Sequence, residues 1–251
     1  DYKVLVKSLY ANAQSVQVYG GEDAATPDYG KVYISIKAKS GSNLTEVTKT
    51  SLVQSLKSFA VASVTPVIID PETTFITLET TFKYDSSATT KDVSTLETNV
   101  IEAITGYNTD TLENFTGMFR YSTVGKTIDG ADSSILSNIT KVKMYKYITP
   151  TLSSGLKYTL SFNNAFYNPH SGHNSSAGGI VSSTGFKINN DSSTNEHFLD
   201  DDGAGNIRVY YLSGTTRIYT DSTFGTINYT TGEIILTSAN ITSISNVDGA
   251  A

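Results

Sequence analysis

A chain of 251 residues, 38% hydrophobic and 17% charged, is long enough for one large domain or two ordinary ones with real cores. Its net charge of −6, with 18 Lys and Arg scattered along the sequence, excludes an extended nucleic-acid footprint, which needs clustered cations. The absence of Cys removes disulfides, thiolate metal sites and a Cys nucleophile, and no apolar run approaches the ~18 residues that span a bilayer.

Ser and Thr make up about a quarter of the chain, beside 16 Tyr and no Trp, a composition that favours strands and turns over helices. Residues 1–14 carry Val4, Val6, Leu9 and Tyr10 without a clear period. Two alternating strands follow within 15–37: Val16 and Val18 share a face of the first, and Val32, Ile34 and Ile36 a face of the second. Between them lies the loop 19–30, with Gly20-Gly21-Glu22-Asp23 and Pro27. It is acidic and leads into a strand, so it does not fit a phosphate cradle, which opens into a helix. It reads as an exposed connection, with partner binding as the alternative.

Ser40-Gly41-Ser42-Asn43 makes a turn, and Leu44, Val47, Leu52, Leu56 and Phe59 mark one face of a helix over about 44–60. Val64 to Ile69 is a compact strand, and Phe75 to Tyr84 a longer one with Ile76, Leu78, Phe82 and Tyr84 on one face. The best helix opens at Thr89-Thr90-Lys91-Asp92 and carries Val93, Leu96, Val100, Ile104 and Tyr107, with Gly106 marking its end. Between 110 and 130, Leu112, Phe115 and Phe119 fit one short helix and Val124 with Ile128 a second, both weakened by Gly117 and Gly125. Ile139 to Tyr147 is a strand alternating Lys with apolar or aromatic residues. Two amphipathic helices cover one face of such a sheet, which predicts an α+β domain over 1–149 of split βαβ type.

The character changes near Thr149-Pro150-Thr151. Leu156 to Phe162 alternates as a strand, 163–179 is a loop rich in Gly, Asn, Ser and His, and further strands are predicted near 180–188, 196–200, 206–212, 215–220 and 225–237. With no helical period left, 150–251 is predicted to be a small antiparallel all-β domain.

Several blocks of the chain resemble a known family: Val16-Gln-Val-Tyr-Gly-Gly-Glu-Asp with Tyr29-Gly-Lys-Val-Tyr-Ile-Ser-Ile-Lys, Ala62-Ser-Val-Thr-Pro-Val-Ile-Ile-Asp-Pro, Asp132-Ser-Ser-Ile-Leu, and His197-Phe-Leu-Asp-Asp-Asp-Gly-Ala-Gly-Asn-Ile-Arg-Val-Tyr-Tyr-Leu-Ser-Gly. They are similar to the baseplate wedge protein of T-even-type contractile-tailed phages, particularly of marine members. Since the sequence opens at Asp1 without an initiator Met, the resemblance implies the C-terminal portion of a longer protein with a further N-terminal half. It also implies a structural virion component, assembled in the host cytoplasm into the tail baseplate, that joins its own copies as a homodimer or in ring contacts and holds neighbouring wedge proteins. No cofactor, nucleic-acid or membrane partner is implied. By analogy the contact surfaces are the 19–30 loop, the 110–130 segment and the β-domain loops, with Tyr19, Glu22, Asp23, Tyr29, Phe115 and Phe119 as interface residues.

Chemistry has few other places to reside. Asp200-Asp201-Asp202-Gly203-Ala204-Gly205-Asn206 is the most metal-like stretch, with Asp200, Asp202 and Asn206 as possible Ca²⁺ ligands. It lacks the spaced bidentate Glu of a Ca²⁺ loop, and Asp-Gly between strands is a hairpin signal. His170 and His173, in Asn168-Pro-His-Ser-Gly-His, are closer than the His-x-x-x-His of a helical metal site and lie in a Pro and Gly loop with no Glu between them. They read as loop residues that hydrogen-bond locally, with a metal as the alternative. No Gly-x-Ser-x-Gly elbow is present, and nothing positions a pair of acids for glycosidase work. The rival readings are an adhesin-like module for host glycan or protein, and a hydrolase with convergent acids.

Overall fold

The computed structural model describes residues 1–24, 27–40, 43–59, 64–189, 191 and 195–245. Gly41 and Ser42 of the predicted turn lie outside the described residues, as do Ala62 and Ser63. The chain forms two compact units: Asp1–Thr73 with Thr77–Lys143, and Thr74–Ile76 with Met144–Ala251.

In the first unit α1 (Tyr2–Leu9) precedes β1 (Ala13–Gly20), β2 (Lys31–Ala38), α2 (Glu46–Lys57) and β3 (Thr65–Ile69). β1 pairs antiparallel with β2, and β3 parallel with it, so β2-α2-β3 is a βαβ unit with an added antiparallel strand. Helix α1, which the sequence does not announce, is capped by the Asp1 carboxylate accepting from the Lys3 N–H. It turns Val6 into the core with Tyr2, Leu5 and Tyr10 packed around it. Exposed Val4 and Leu9 are what obscure its period. Thr45 caps α2, and Leu52 and Leu56 close over Ile34 and Ile36. Val47 and Phe59 of the predicted face are 80% and 58% exposed: the buried stripe of this helix is only Leu52 and Leu56, with Leu44 ahead of it.

The strand predicted over 64–69 joins that sheet as β3, but those predicted over 75–84 and 139–147 do not. β4 (Phe75–Tyr84) and β5 (Ile135–Tyr145) form a two-stranded sheet of their own, covered by α3 (Val93–Tyr107) and α4 (Tyr121–Asp129). The α+β class stands, while the strands divide between two sheets because each has its own helices and its own buried cluster. The second cluster is Val100, Val124, Ile128 and Ile135, flanked by Leu78, Phe82, Ile104, Tyr107 and Phe119. The alternation on β4 is as predicted, with Ile76, Leu78, Phe82 and Tyr84 on the inward face. Asp92 caps α3 by accepting from the Thr95 N–H. No helix runs through Leu112, Phe115 and Phe119 together. A π-turn over Asn108–Leu112 leads to an irregular stretch, and both are tied to β1: Gln14 Nε2 donates to Thr109 O in the turn and Ser15 Oγ accepts from the Phe115 N–H beyond it, both at 3.2 Å.

The second unit is antiparallel. Its strands are β6 (Gly155–Ser161), β7 (Phe186–Ile188), β8 (His197–Asp201), β9 (Asn206–Ser213), β10 (Thr216–Asn228) and β11 (Glu233–Ile244), and the short helix α5 (His173–Ala177) lies between β6 and β7. The sheet order is β10-β9-β8-β7-β11-β6, and β10 also pairs with β11, which closes the sheet into a barrel-like form. The strand expected over 225–237 is broken at 229–232, where Gly232 takes φ 69°, so β10 and β11 form a hairpin. Closure needs bends: register shifts fall at Asp221 and before Ala239, and at Gly225 an added Cβ would lie 2.2 Å from Ile235 O, so only Gly lets the strands approach there. Ile207, Val209, Ile227, Ile234, Leu236, Ala239 and Ile241 fill the interior.

In the first unit Asp132 ties two segments. Its carboxylate accepts from Lys91 Nζ at 2.5 Å and from the N–H and Oγ of Ser134 at 2.9 and 2.7 Å. The Lys91 ammonium and the Ser134 donors hold its acid well below the usual carboxylate range. The stabilisation is thus complete above the ordinary carboxylate value of about 4 and is lost as pH falls through the depressed native one. Melting temperature should fall below about pH 4, with a shallower fall in Asp132→Asn. In urea titrations Leu56→Ala should cost about 2–5 kcal/mol, whereas Val47→Ala should stay within about 0.5 kcal/mol.

Candidate functional site

The acidic run of β8 is the most densely bonded polar feature among the described residues, and its geometry follows from the strand pleat. Successive side chains on a strand point to opposite faces, so Asp200 and Asp201 diverge. Asp200 lies on the outer face beside its partner Arg208. At 2% exposure it accepts from Arg208 Nε at 2.9 Å, Arg217 NH1 at 2.6 Å and Tyr219 Oη at 2.9 Å. The guanidiniums also stack on aromatic rings, Arg208 over Tyr219 at 4.3 Å and Arg217 over Tyr210 at 4.6 Å. Burial works against the charge on Arg208, but Asp200 prevails and raises its pKa; for Arg217 the bond to Tyr219 leads the upward shift.

Asp201 turns inward and is fully buried. One oxygen accepts from the N–H groups of Ile180 and Val181 at 2.6 and 2.7 Å, and the other from Tyr229 Oη at 2.6 Å and the Gly203 N–H at 3.3 Å. Burial and the Asp201 charge together push the Tyr229 hydroxyl well above its ordinary pKa. Asp202 begins the β8–β9 hairpin and accepts from the N–H groups of Ala204 and Asn206 at 2.7 and 3.0 Å and from Asn206 Nδ2 at 2.6 Å, an Asx-type turn. Burial raises its pKa, but these donors outweigh that and leave it lowered. Gly203, at φ 71°, packs so closely on α5 that a Cβ would lie 2.1 Å from the Ser175 backbone nitrogen.

The three positions weighed as Ca²⁺ ligands are therefore not brought around one point. Asp200 serves two arginines on one face, while Asp202 and Asn206 serve each other in the turn. Among the described residues no group of three or more His, Asp or Glu is disposed to hold a metal. His197 is buried, with Nε2 3.0 Å from Asp191 Oδ2. A cleft of about 510 Å³ in this unit is lined by Asp191, Tyr211, Asp221, Phe224 and Asn240, among others. Asp221 there accepts from the Thr223 N–H at 2.8 Å.

The residues expected at an interface separate into two places near the ends of β1. Tyr19 stacks on Tyr33 at 5.5 Å, Glu22 and Asp23 are exposed in a single 3₁₀ turn, and Tyr29 is 80% exposed. Beside them Asp28 pairs with Lys31 at 2.6 Å and accepts from Tyr33 Oη at 3.1 Å; Lys31 first, then Tyr33, lower its pKa against burial. Phe115 and Phe119 are half-buried, Phe119 against the α3–α4 cluster. The exposed apolar groups of that region are Met118 and Tyr121, at 62% and 57%, with Leu136 and Ile139 on β5 at 67% and 70%. Sequence reasoning did not single these out, although the alternation of Lys and apolar residues on β5 placed Ile139 with the lysines on the outward face.

The fold and this site define an α+β protein with a barrel-like antiparallel C-terminal unit, in which the conspicuous acids are internal ties. Residues 1–69 match the family model of baseplate structural protein gp6, C-terminal domain I, and residues 72–147 match C-terminal domain III of the same protein. The chain is 30% identical over 164 residues to the baseplate wedge protein gp6 of Enterobacteria phage T4, a match covering 63% of this chain and 24% of that protein. The chain belongs to the gp6 baseplate wedge family as a C-terminal portion and spans about a quarter of the length of that relative.

Replacing Asp200 by Asn would leave both guanidiniums beside a neutral group. We expect a loss of about 3 kcal/mol, read in urea titrations, and a smaller loss in Arg217→Met, because Arg217 is about half exposed.

Proposed function

We propose that this chain acts by binding rather than by catalysis, as part of a wedge subunit of a phage tail baseplate. In this reading it is a virion component that associates with its own copies to form the baseplate ring and holds neighbouring wedge proteins. The single observation that carries the reading is the consecutive match of residues 1–147 to two C-terminal domains of baseplate structural protein gp6. The contact surfaces are the 19–30 loop with Tyr19, Glu22, Asp23 and Tyr29, the segment around Phe115 and Phe119, and the loops of the β-unit. Exposed Tyr29, Met118 and Tyr121 support it, since aromatic and Met side chains are enriched where proteins associate.

Static light scattering over a wide concentration range tests self-association. The mass should rise from that of one chain towards two, and Tyr29→Ser combined with Met118→Ser should move the rise to at least tenfold higher concentration, about 1.4 kcal/mol. A monomer at every concentration would remove self-association from this portion of the wedge protein.

A further inference from the structure

The end of the loop after β6, with the first residue of α5, carries a second polar feature that the proposed assembly role does not use. His170, Ser171, Gly172 and His173 form a β-turn closed by the His173 N–H donating to His170 O at 3.1 Å. Gly172, its third residue, has φ 77° and ψ 1°, the conformation that a type II turn demands of that position and that Gly supplies without strain. The turn sets the two imidazoles side by side, with His173 Nδ1 3.2 Å from His170 Nε2.

Tautomers follow from the acceptor. His170 Nδ1 lies 3.1 Å from the backbone oxygen of Ser171, which can only accept, so His170 carries its proton on Nδ1 and presents a lone pair on Nε2. A backbone carbonyl orienting a histidine in this way is the usual outer support of a metal-binding imidazole. Metal–nitrogen bonds of about 2.0–2.1 Å spanning 3.2 Å enclose an angle of about 100°, near tetrahedral. Rings pointing radially at such an ion would have centroids about 5 Å apart, and the observed distance is 4.9 Å at an interplanar angle of 87°. A collinear N–H···N hydrogen bond would hold them about 5.5 Å apart.

The geometry points to His170 Nε2 and His173 Nδ1 as a bidentate surface site for a transition-metal dication of the Zn²⁺, Ni²⁺ or Cu²⁺ class. Binding replaces the hydrogen bond between the rings: the proton on His173 Nδ1 moves to Nε2, so that ring stays neutral and both donor nitrogens offer lone pairs. Water fills the remaining positions, because His170 is exposed and His173 half-buried. Imidazole donors suit these ions, whereas Mg²⁺ and Ca²⁺ require oxygen ligands.

Isothermal titration of the untagged chain with NiCl₂ and with ZnCl₂ should show saturable uptake of one ion per chain, and none with MgCl₂. His170→Ala and His173→Ala should each weaken uptake at least tenfold, and Gly172→Ala, which strains the turn, should weaken it with both histidines present. Circular dichroism melts of the two histidine variants should match the parent, since neither histidine belongs to the core. No saturable uptake, or uptake unchanged by the two histidine substitutions, would overturn the assignment.

Discussion

A charged carboxylate with 2% exposure cannot be buried without partners, and Asp200 finds them in Arg208, Arg217 and Tyr219. Removing two charges from water costs several kcal/mol per ion unless the geometry and the remaining hydrogen bonds compensate. The outer face of β8, β9 and β10 is arranged to do so, with two guanidiniums on one carboxylate and an aromatic ring beneath each. The neighbouring Asp201 repeats the arrangement on the inner face, where it fixes residues 180–181 and Tyr229. Because the pleat sends the two acids in opposite directions, one short strand ties the barrel wall on both sides, and Asp202 then shapes the turn that follows.

The same pleat explains what the sequence could and could not tell about this site. Asp-Gly between two alternating runs foretold the β8–β9 hairpin, and the missing bidentate Glu argued against a cation loop. That Arg208 and Arg217 would meet at Asp200 was not legible, because Arg217 is 17 residues away and the register between β9 and β10 sets its height. Helix α3 was legible from its opening Asp92 and its period, and α2 from period alone, although Val47 and Phe59 of its predicted face are exposed. Helix α1 was hidden by exposed apolar residues, and the 108–119 stretch was misread because its aromatic spacing resembles a helix while Gly117 packs against the carbonyl of Thr111. The division of the strands into two sheets was equally invisible, since β3 pairs in parallel with β2 and β4 instead meets β5, strands that local pattern cannot assign to separate sheets.

A protein that spends its conspicuous acids on internal ties keeps other surfaces for contact. On the first unit the proposed contact surfaces are the aromatic and acidic 19–30 loop at one end of β1 and, at the other, the segment whose residues 109 and 115 are tied to β1. A two-stranded sheet such as β4–β5 has little stability by itself and gains from covered faces. Leu136 and Ile139 stand outward on it, and association is the ordinary means of covering such groups.

Hydrogen–deuterium exchange, compared between the isolated chain and the same chain within assembled baseplates, tests the central claim that these surfaces serve assembly. The account predicts that amides of the 19–30 loop and the 109–121 segment exchange at least tenfold more slowly in the particle, while those of the β8–β9 hairpin, already held by Asp201 and Asp202, change little. Equal exchange of the loop and the segment in both states would contradict it.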